Sequence, residues 1–506
     1  MLFNSPEFLF CYLPIVLAGF ALLGRFGRTA VISWLAFMSL AFYAYWRPAF
    51  LLLLLGSILG NYLCSRLIWR NHSRARVQTA ILTLGIAGNL ATLAYFKYFF
   101  PILHFVNDTL GFQADVGNVI LPLGISFFTF TQIAYLIDLS EDAAEPQSFI
   151  GYTLFVTFFP HLIAGPILHH SEIMPQFSRK NGFRLKWDDL SIGLSWFIMG
   201  LCKKVLLADR LSPYADAAFA HTAGLSMAGA WLGVLNYSLQ LYFDFSGYSD
   251  MAIGLARMFS IEFPFNFDSP YKSRNIIDFW SRWHMTLTRY LTLYLYNPCS
   301  MWINRRRAAA NKSNSRKAQR TFTGFSSLVA TPTLLTMFLA GVWHGAGFQF
   351  IVFGVLHGIY LTVNHAWRMF HKPGTLVSRI LAWQPVGVAL TFLAVLIGQI
   401  FFRASSTHDA LVMLAALGGW NGIEGAATQA LPSHEYFVLC LLPVIWFFPN
   451  TQEILGQAKT VRASILDRIK LVRWRPNWVW AFSLGALSIG VLWYMTDTST
   501  FLYFQF

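Results

Sequence analysis

Two histidines sit where an imidazole could move a proton inside a membrane. His344 lies in Gly341-Val342-Trp343-His344-Gly345-Ala346-Gly347, between the apolar runs Leu334–Ala340 and Phe348–Phe353. An ionisable side chain at membrane depth costs on the order of 2.5–3.5 kcal/mol to insert for the charged types, so one placed there is by default a functional candidate. Histidine is also the side chain best matched to proton transfer near neutral pH. The competing reading is a neutral ring satisfied by a neighbouring helix. Gly345, Ala346 and Gly347 weigh against it, because they leave room for something to approach. The second histidine, His284, follows Trp280-Ser281-Arg282-Trp283. Asn275 would cap a helix on which Trp280, Trp283 and Leu287 form one apolar stripe, with Arg282 on another face and His284 on or near the buried side.

Further polar residues enter apolar surroundings between these landmarks. Gln240–Asp250 carries two carboxylates, Asp244 and Asp250, with Ser246 and Gly247 between them. Six positions apart, the two carboxylates would not share a helical face, and Gly247 permits a break. Asp244, Ser246 and Asp250 are candidates to support a substrate path, as are Trp283 and Trp343 beside the two histidines. For the three polar residues, helix packing and capping is the more ordinary role. His161 is flanked by Pro160 and Pro166 in a segment that reads as re-entrant, and it stands open between a tunnel and a packing role. His357 and His365 read as structural. Five cysteines lack CxxC spacing, and His169-His170, His221, His371, His408 and His434 show no ligand spacing, so no metal site is expected. Neither a GxSxG elbow nor a phosphate-binding glycine loop is present.

The elements that must hold these residues are membrane helices. Of 506 residues 56% are hydrophobic and only 12% charged, about half the charged share of a soluble domain. Apolar stretches recur from Phe8–Leu23 to Trp478–Met495. A hydrocarbon core of about 30 Å needs about 20 apolar residues, which gives roughly ten to twelve spans plus re-entrant or interfacial pieces. The first stretch lacks a basic leader and a clear cleavage site, so it reads as a retained helix. The net charge of +14 is concentrated in short loops: Arg66–Arg76, Arg305–Arg320 and Lys459–Arg475. That is the pattern of cytoplasmic loops, with contacts to anionic lipid, and it argues against nucleic acid as the partner. Without internal repeats, an inverted-repeat transporter is disfavoured.

Four stretches, taken in order, resemble the membrane-bound O-acyltransferase superfamily. They are Leu121–Phe127, Phe159–Pro166, the Tyr242–Asp250 run, and Phe279–His284 followed by Trp343-His344-Gly345. Within the superfamily they look like the bacterial branch of alginate O-acetylation proteins and teichoic-acid D-alanyl transferases. The resemblance implies an all-α polytopic fold around a central tunnel. It further implies a single integral membrane domain over 1–506, with a core at about 100–370 and peripheral helices at 1–99 and 380–506. His344 matches the family's catalytic histidine near the bilayer midplane, and His284 a histidine at the cytoplasmic side of the tunnel. The implied activity is transfer of a short acyl group, acetyl in this branch, from acetyl-CoA or an acyl carrier protein thioester. The acceptor is an extracytoplasmic polysaccharide, reached with an extracytoplasmic acetyltransferase or other polysaccharide-modification partner. No tightly bound cofactor is implied, and the location is a bacterial inner membrane. One departure marks a side branch: Thr292-Leu293-Tyr294 stands where the alginate-type proteins usually carry Arg-Asp-Tyr. A lipid or protein acceptor, or a non-enzymatic transporter or flippase, remain the alternative readings.

Overall fold

The computed structural model describes residues 1–111, 117, 119–142, 145–179, 184–371, 374–423, 432–456, 473–495 and 501–502. Among the described residues every regular element is a helix. Hydrocarbon offers no hydrogen bonds, so each N–H and C=O must pair internally, and a helix achieves this within one segment. Seven of these helices are long and apolar enough to cross a membrane: Arg28–Trp46, Pro48–Arg70, Ala75–Asn107, Trp187–Ala220, Phe322–His344, Phe348–Phe370 and Gln384–Arg403. Phe8–Leu23, Thr407–Leu417, Phe437–Phe447 and Trp478–Tyr494 are shorter apolar helices. The chain is an all-α, multi-pass membrane protein. Of the third basic cluster, Lys459, Arg462, Arg468 and Lys470 lie outside the described residues.

The chain forms two compact units. One comprises Met1–Val205, Gly247–Phe265 and Pro476–Thr498; the other comprises Leu206–Ser246, Asn266–Arg475 and Ser499–Phe506. The first is built on α1 (Leu13–Leu23), α2 (Arg28–Trp46), α3 (Pro48–Arg70), α4 (Ala75–Ala94), α5 (Ile125–Asp142), α6 (Phe149–Thr157), α7 (His170–Phe177) and α8 (Trp187–Cys202). Lipid tails are as apolar as leucine, so helices in a membrane associate through close packing and polar contacts. Both occur here. Asn61 of α3 and Asn89 of α4 exchange amide hydrogen bonds of 3.1 and 2.6 Å. Gln132 of α5 donates to Ser57 at 2.9 Å and accepts from the Tyr152 hydroxyl at 3.1 Å. The apolar run from Phe149 is interrupted, as its prolines suggest: α6 stops before Phe158 (φ −50°, ψ 110°), and a one-turn helix Phe159–Leu162 restarts with Pro160 in its first turn.

A long helix, α9 (Met227–Met258), supplies residues to both units. Residues 236–256 of it are buried without interruption. Gly247 permits a break but makes none here. A Cβ on Gly247 would lie 2.7 Å from the carbonyl oxygen of Gly200, so this glycine lets α9 press against α8 rather than turn the chain.

The second unit adds α10 (Ile276–Trp280), α11 (Met285–Leu291), α12 (Thr331–His344), α13 (Phe348–Phe370) and α14 (Gln384–Arg403). α12 and α13 form a tight hairpin through Gly345–Gly347. Their backbones touch where two glycines meet: a Cβ on Gly354 would lie 2.3 Å from the Met337 oxygen and 2.8 Å from Gly341 Cα. Leu241, Phe245, Phe353, Val395 and Phe402 belong to the core of this unit, against which the hairpin packs.

Candidate active site

The segment around His284 departs from the single amphipathic helix expected for it. Asn275 does cap α10, its side chain accepting from the Asp278 N–H at 3.0 Å. The helix then ends at Trp280, and α11 starts only at Met285. Between them His284 is left-handed (φ 43°, ψ 53°), a conformation that costs an L-residue about 1–2 kcal/mol. Asn266 holds it there. Its backbone oxygen accepts from the Met285 N–H at 2.9 Å, and its side-chain Oδ1 accepts from the Thr286 N–H at 3.3 Å and the Thr286 hydroxyl at 2.8 Å. A backbone N–H can only donate, which fixes that amide atom as oxygen. His284 Nδ1, 3.0 Å from the same oxygen, is therefore the donor, and the neutral ring keeps Nε2 as an acceptor. Phe245 meets the ring edge-on at 4.7 Å.

His344 is the last residue of α12 and is buried. Its ring is boxed by Trp343 (4.7 Å between centroids), Phe402 (4.9 Å, edge-on) and Phe353 (5.7 Å, edge-on). His284 and His344 line one largely apolar cavity. Trp280, Trp283 and Leu287 line it too, so the expected stripe is realised by two short helices and the turn between them.

Two polar residues of this cavity escaped the sequence reading as site residues. His357, taken as structural, lines it beside His284 and His344. The Trp280 indole N–H donates to its Nδ1 at 3.3 Å, so the neutral His357 ring carries its proton on Nε2. Gly398 allows α14 to pass close to that nitrogen, since a Cβ there would sit 2.4 Å from it. Gln399 is the other. Its Nε2 donates to the Tyr271 hydroxyl at 3.1 Å, which in turn donates to the Ser238 carbonyl at 2.9 Å, while its buried Oε1 makes no hydrogen bond. The signals available were weak: a histidine four residues after Phe353 reads as core, and one glutamine in an apolar helix as packing.

Other candidates do not line the cavity. Asp244 Oδ2 accepts from the Leu502 N–H at 3.1 Å. Asp250 pairs with Lys203 at 2.6 Å, and the two carboxylates take different partners in different units, as their six-residue spacing predicts. His161 is buried with Nε2 2.9 Å from the Phe155 oxygen, which suits the packing role. Ser246 is buried, and Trp343 touches His344 without lining the cavity.

What the arrangement can do follows from its parts. Neutral imidazoles in a largely apolar pocket, one with its acceptor nitrogen set by Asn266, can take and return a proton. An unpaired amide oxygen in the same space can accept a hydrogen bond from a hydroxyl. That is a site fitted to acyl transfer onto oxygen in a membrane. Comparison with known proteins agrees: residues 17–315 match MBOAT, the membrane-bound O-acyltransferase family, and the chain belongs to that family. It is 40% identical over 456 residues to the peptidoglycan O-acetyltransferase of Helicobacter pylori, covering 84% of this chain and 81% of that protein. It is 38% identical over 429 residues to a probable alginate O-acetylase of Pseudomonas putida, covering 83% and 81%. A teichoic acid D-alanyltransferase of Bacillus subtilis is 27% identical over 297 residues, covering 58% and 71%. The protein is thus a multi-pass membrane acyltransferase, of the branch that its four sequence stretches indicate.

Proposed function

We propose that this protein moves an acetyl group from a cytoplasmic thioester, acetyl-CoA or an acyl carrier protein, for O-acetylation of an extracytoplasmic polysaccharide at a bacterial inner membrane. The observation that carries the mechanism is the shared apolar cavity of His284 and His344. His344 acts as general base: it takes the acceptor hydroxyl proton as the new C–O bond forms, and it returns that proton to the thiolate once the C–S bond breaks. His284 sits at the donor side, its Nε2 an acceptor because Asn266 holds the proton on Nδ1. Gln399 Oε1 orients the acceptor hydroxyl. The aromatic walls keep water from hydrolysing the thioester. The names of the relatives support acetyl as the group and a cell-envelope glycan as the acceptor, peptidoglycan and alginate being the first two to assay. An extracytoplasmic partner completes delivery to the polymer.

The test is acyl transfer from radiolabelled acetyl-CoA, and from acetylated carrier protein, to the glycan by membranes that hold both the protein and its extracytoplasmic partner. Loss of a general base costs about 10²–10⁴ in rate, so His344→Ala should lose transfer by that factor while accumulating normally in the membrane. Near-normal transfer in the variant removes His344 from the mechanism. Transfer only to lipid or to protein by the wild type refutes the glycan assignment.

A further inference from the structure

The fold assembles a cluster of metal-binding side chains far from the cavity residues in sequence. His169 and His170 lack ligand spacing on their own, and the carboxylate that joins them, Asp138, is 31 positions upstream. Asp138 lies near the C-terminal end of α5, and the histidines sit where the chain enters α7. Asp138 Oδ2 is 2.9 Å from His169 Nε2 and 3.2 Å from His170 Nδ1. One donor atom from each residue lies within 4.8 Å of the others. From these residues we infer a binding site for a divalent first-row cation, with Zn²⁺ as the best match, that ties α5 to α7.

The donor set and spacing support this over an ordinary ion pair. Zinc bonds to imidazole nitrogen and carboxylate oxygen are about 2.0–2.2 Å, which puts neighbouring ligand atoms about 3–3.5 Å apart. The 3.2 Å separation falls at that spacing and the 2.9 Å one just below it. His170 Nδ1 is buried and makes no hydrogen bond, although it faces Asp138 Oδ2. A cation there accepts a lone pair from all three groups at once. The supporting contacts are in place as well. His169 Nδ1 lies 2.6 Å from Ser171 Oγ, which can accept the Nδ1 proton and leave the Nε2 lone pair toward Asp138; the Ser171 N–H, 3.4 Å from Nδ1, is a long contact that metal binding would give up. Tyr135, one helical turn before Asp138, packs edge-on against His170 at 5.5 Å. The three side chains are 14–22% exposed, so an ion and one or two waters can reach the open coordination positions.

Gln78, at the start of α4, donates to the Ser140 oxygen at 3.1 Å. The site therefore lies at the end of α5 that adjoins the basic α3–α4 turn, the turn whose charge marks it as cytoplasmic. No reacting group of the cavity is involved, so the site holds the fold together and does not enter the acyl-transfer step.

The experiment uses full-length protein in detergent, stripped with a chelator and titrated with ZnCl₂ by calorimetry, with metal content measured after desalting. CoCl₂ serves as an optical probe. The wild type should bind one Zn²⁺ per chain, show cobalt d–d absorption, and melt at a higher temperature with zinc than without. Asp138→Asn and His170→Gln should each lose the bound zinc and its thermal shift. Ser171→Ala removes only a supporting contact and should weaken binding by about 10–100-fold, an effect that a simple histidine–aspartate pair would not produce. His344→Ala should bind zinc as the wild type does. Wild-type protein that takes up no stoichiometric zinc, or zinc content unaltered by all three substitutions, overturns the assignment. Should Asp138→Asn fail to fold, the wild-type titration and Ser171→Ala still decide it.

Discussion

The crossing of α12 and α13 is the part of the site most sensitive to a small change far from any reacting atom. Gly354→Ala adds one methyl group. Its carbon would lie 2.3 Å from the Met337 oxygen, where ordinary contact begins at 3.4 Å, so one helix must retreat by about 1 Å. The obstacle is backbone and cannot rotate away. Overpacking of this kind costs about 1–3 kcal/mol. Alanine returns about 1 kcal/mol of helix propensity relative to glycine, so the net loss of stability should be only about 0–2 kcal/mol. The effect on rate should be larger. Met337 and His344 are seven residues apart on α12, two turns along the same face, so a shift at the crossing carries the imidazole with it. A displacement of about 1 Å commonly costs about 10²-fold. Gly358→Ala is the matched control on the same helix: its closest contacts, Leu334 Cδ2 and Met337 Cβ, are both at 3.2 Å, so a few tenths of an ångström of give suffices. Single-turnover transfer and thermal unfolding of the purified variants should show Gly354→Ala slowed about 100-fold with a small melting shift, and Gly358→Ala slowed only a few-fold. Equal activities in the two variants would refute the reasoning, because the helix backbones would then not set the position of His344.

Three more outcomes test other parts of the site. Asn266→Ala strips the acceptor from the Thr286 N–H, the Thr286 hydroxyl and His284 Nδ1–H, and each buried donor left unpaired costs about 1–3 kcal/mol, so the variant should melt well below wild type and lose transfer, whereas Asn266→Asp, which keeps an acceptor oxygen, should retain more of both. His284→Ala should weaken use of the thioester donor, while His344→Ala should leave donor binding largely intact and block the transfer step; donor-binding and single-turnover measurements separate these effects, and equal loss of donor binding in both would end the division of labour. A cysteine at Ala309, in the helix Asn297–Ala309 that leads into the basic loop, should resist an impermeant thiol reagent in intact cells and react after lysis, and ready labelling of intact cells would invert the proposed orientation.

Local chemistry was legible in the sequence wherever one segment decides its own conformation. The apolar runs around His344 gave two helices with the histidine between them, because hydropathy and length act locally. The Asn275 cap and the interruption before Pro160 were legible for the same reason. What depends on a partner was not. In sequence Gly247 reads only as permitting a break, because what it does, admitting Gly200 of another helix, depends on a residue 47 positions away. The left-handed turn at His284 is imposed by Asn266, whose amide gives no sign in sequence that it will reach across 18 residues. His357 and Gln399 sit in mostly apolar helices, and only the packing of α13 and α14 around one space makes them neighbours of His344.

The unbroken burial of residues 236–256 bears on how the chain reaches the membrane. That stretch of α9 includes Asn236, Ser238, Gln240, Asp244, Ser246, Ser249 and Asp250, all buried, and α9 is not among the seven helices apolar enough to span on their own. A segment with so many polar groups gains little from hydrocarbon and offers lipid no surface of its own in the folded state. Its translocation must lean on helices already in the bilayer, so this part of the protein cannot be assembled by first inserting independent spans and then packing them. Biogenesis and folding become one event here. Variants that weaken the packing around α9 should be lost as uninserted chains degraded during synthesis, before any inactive enzyme accumulates.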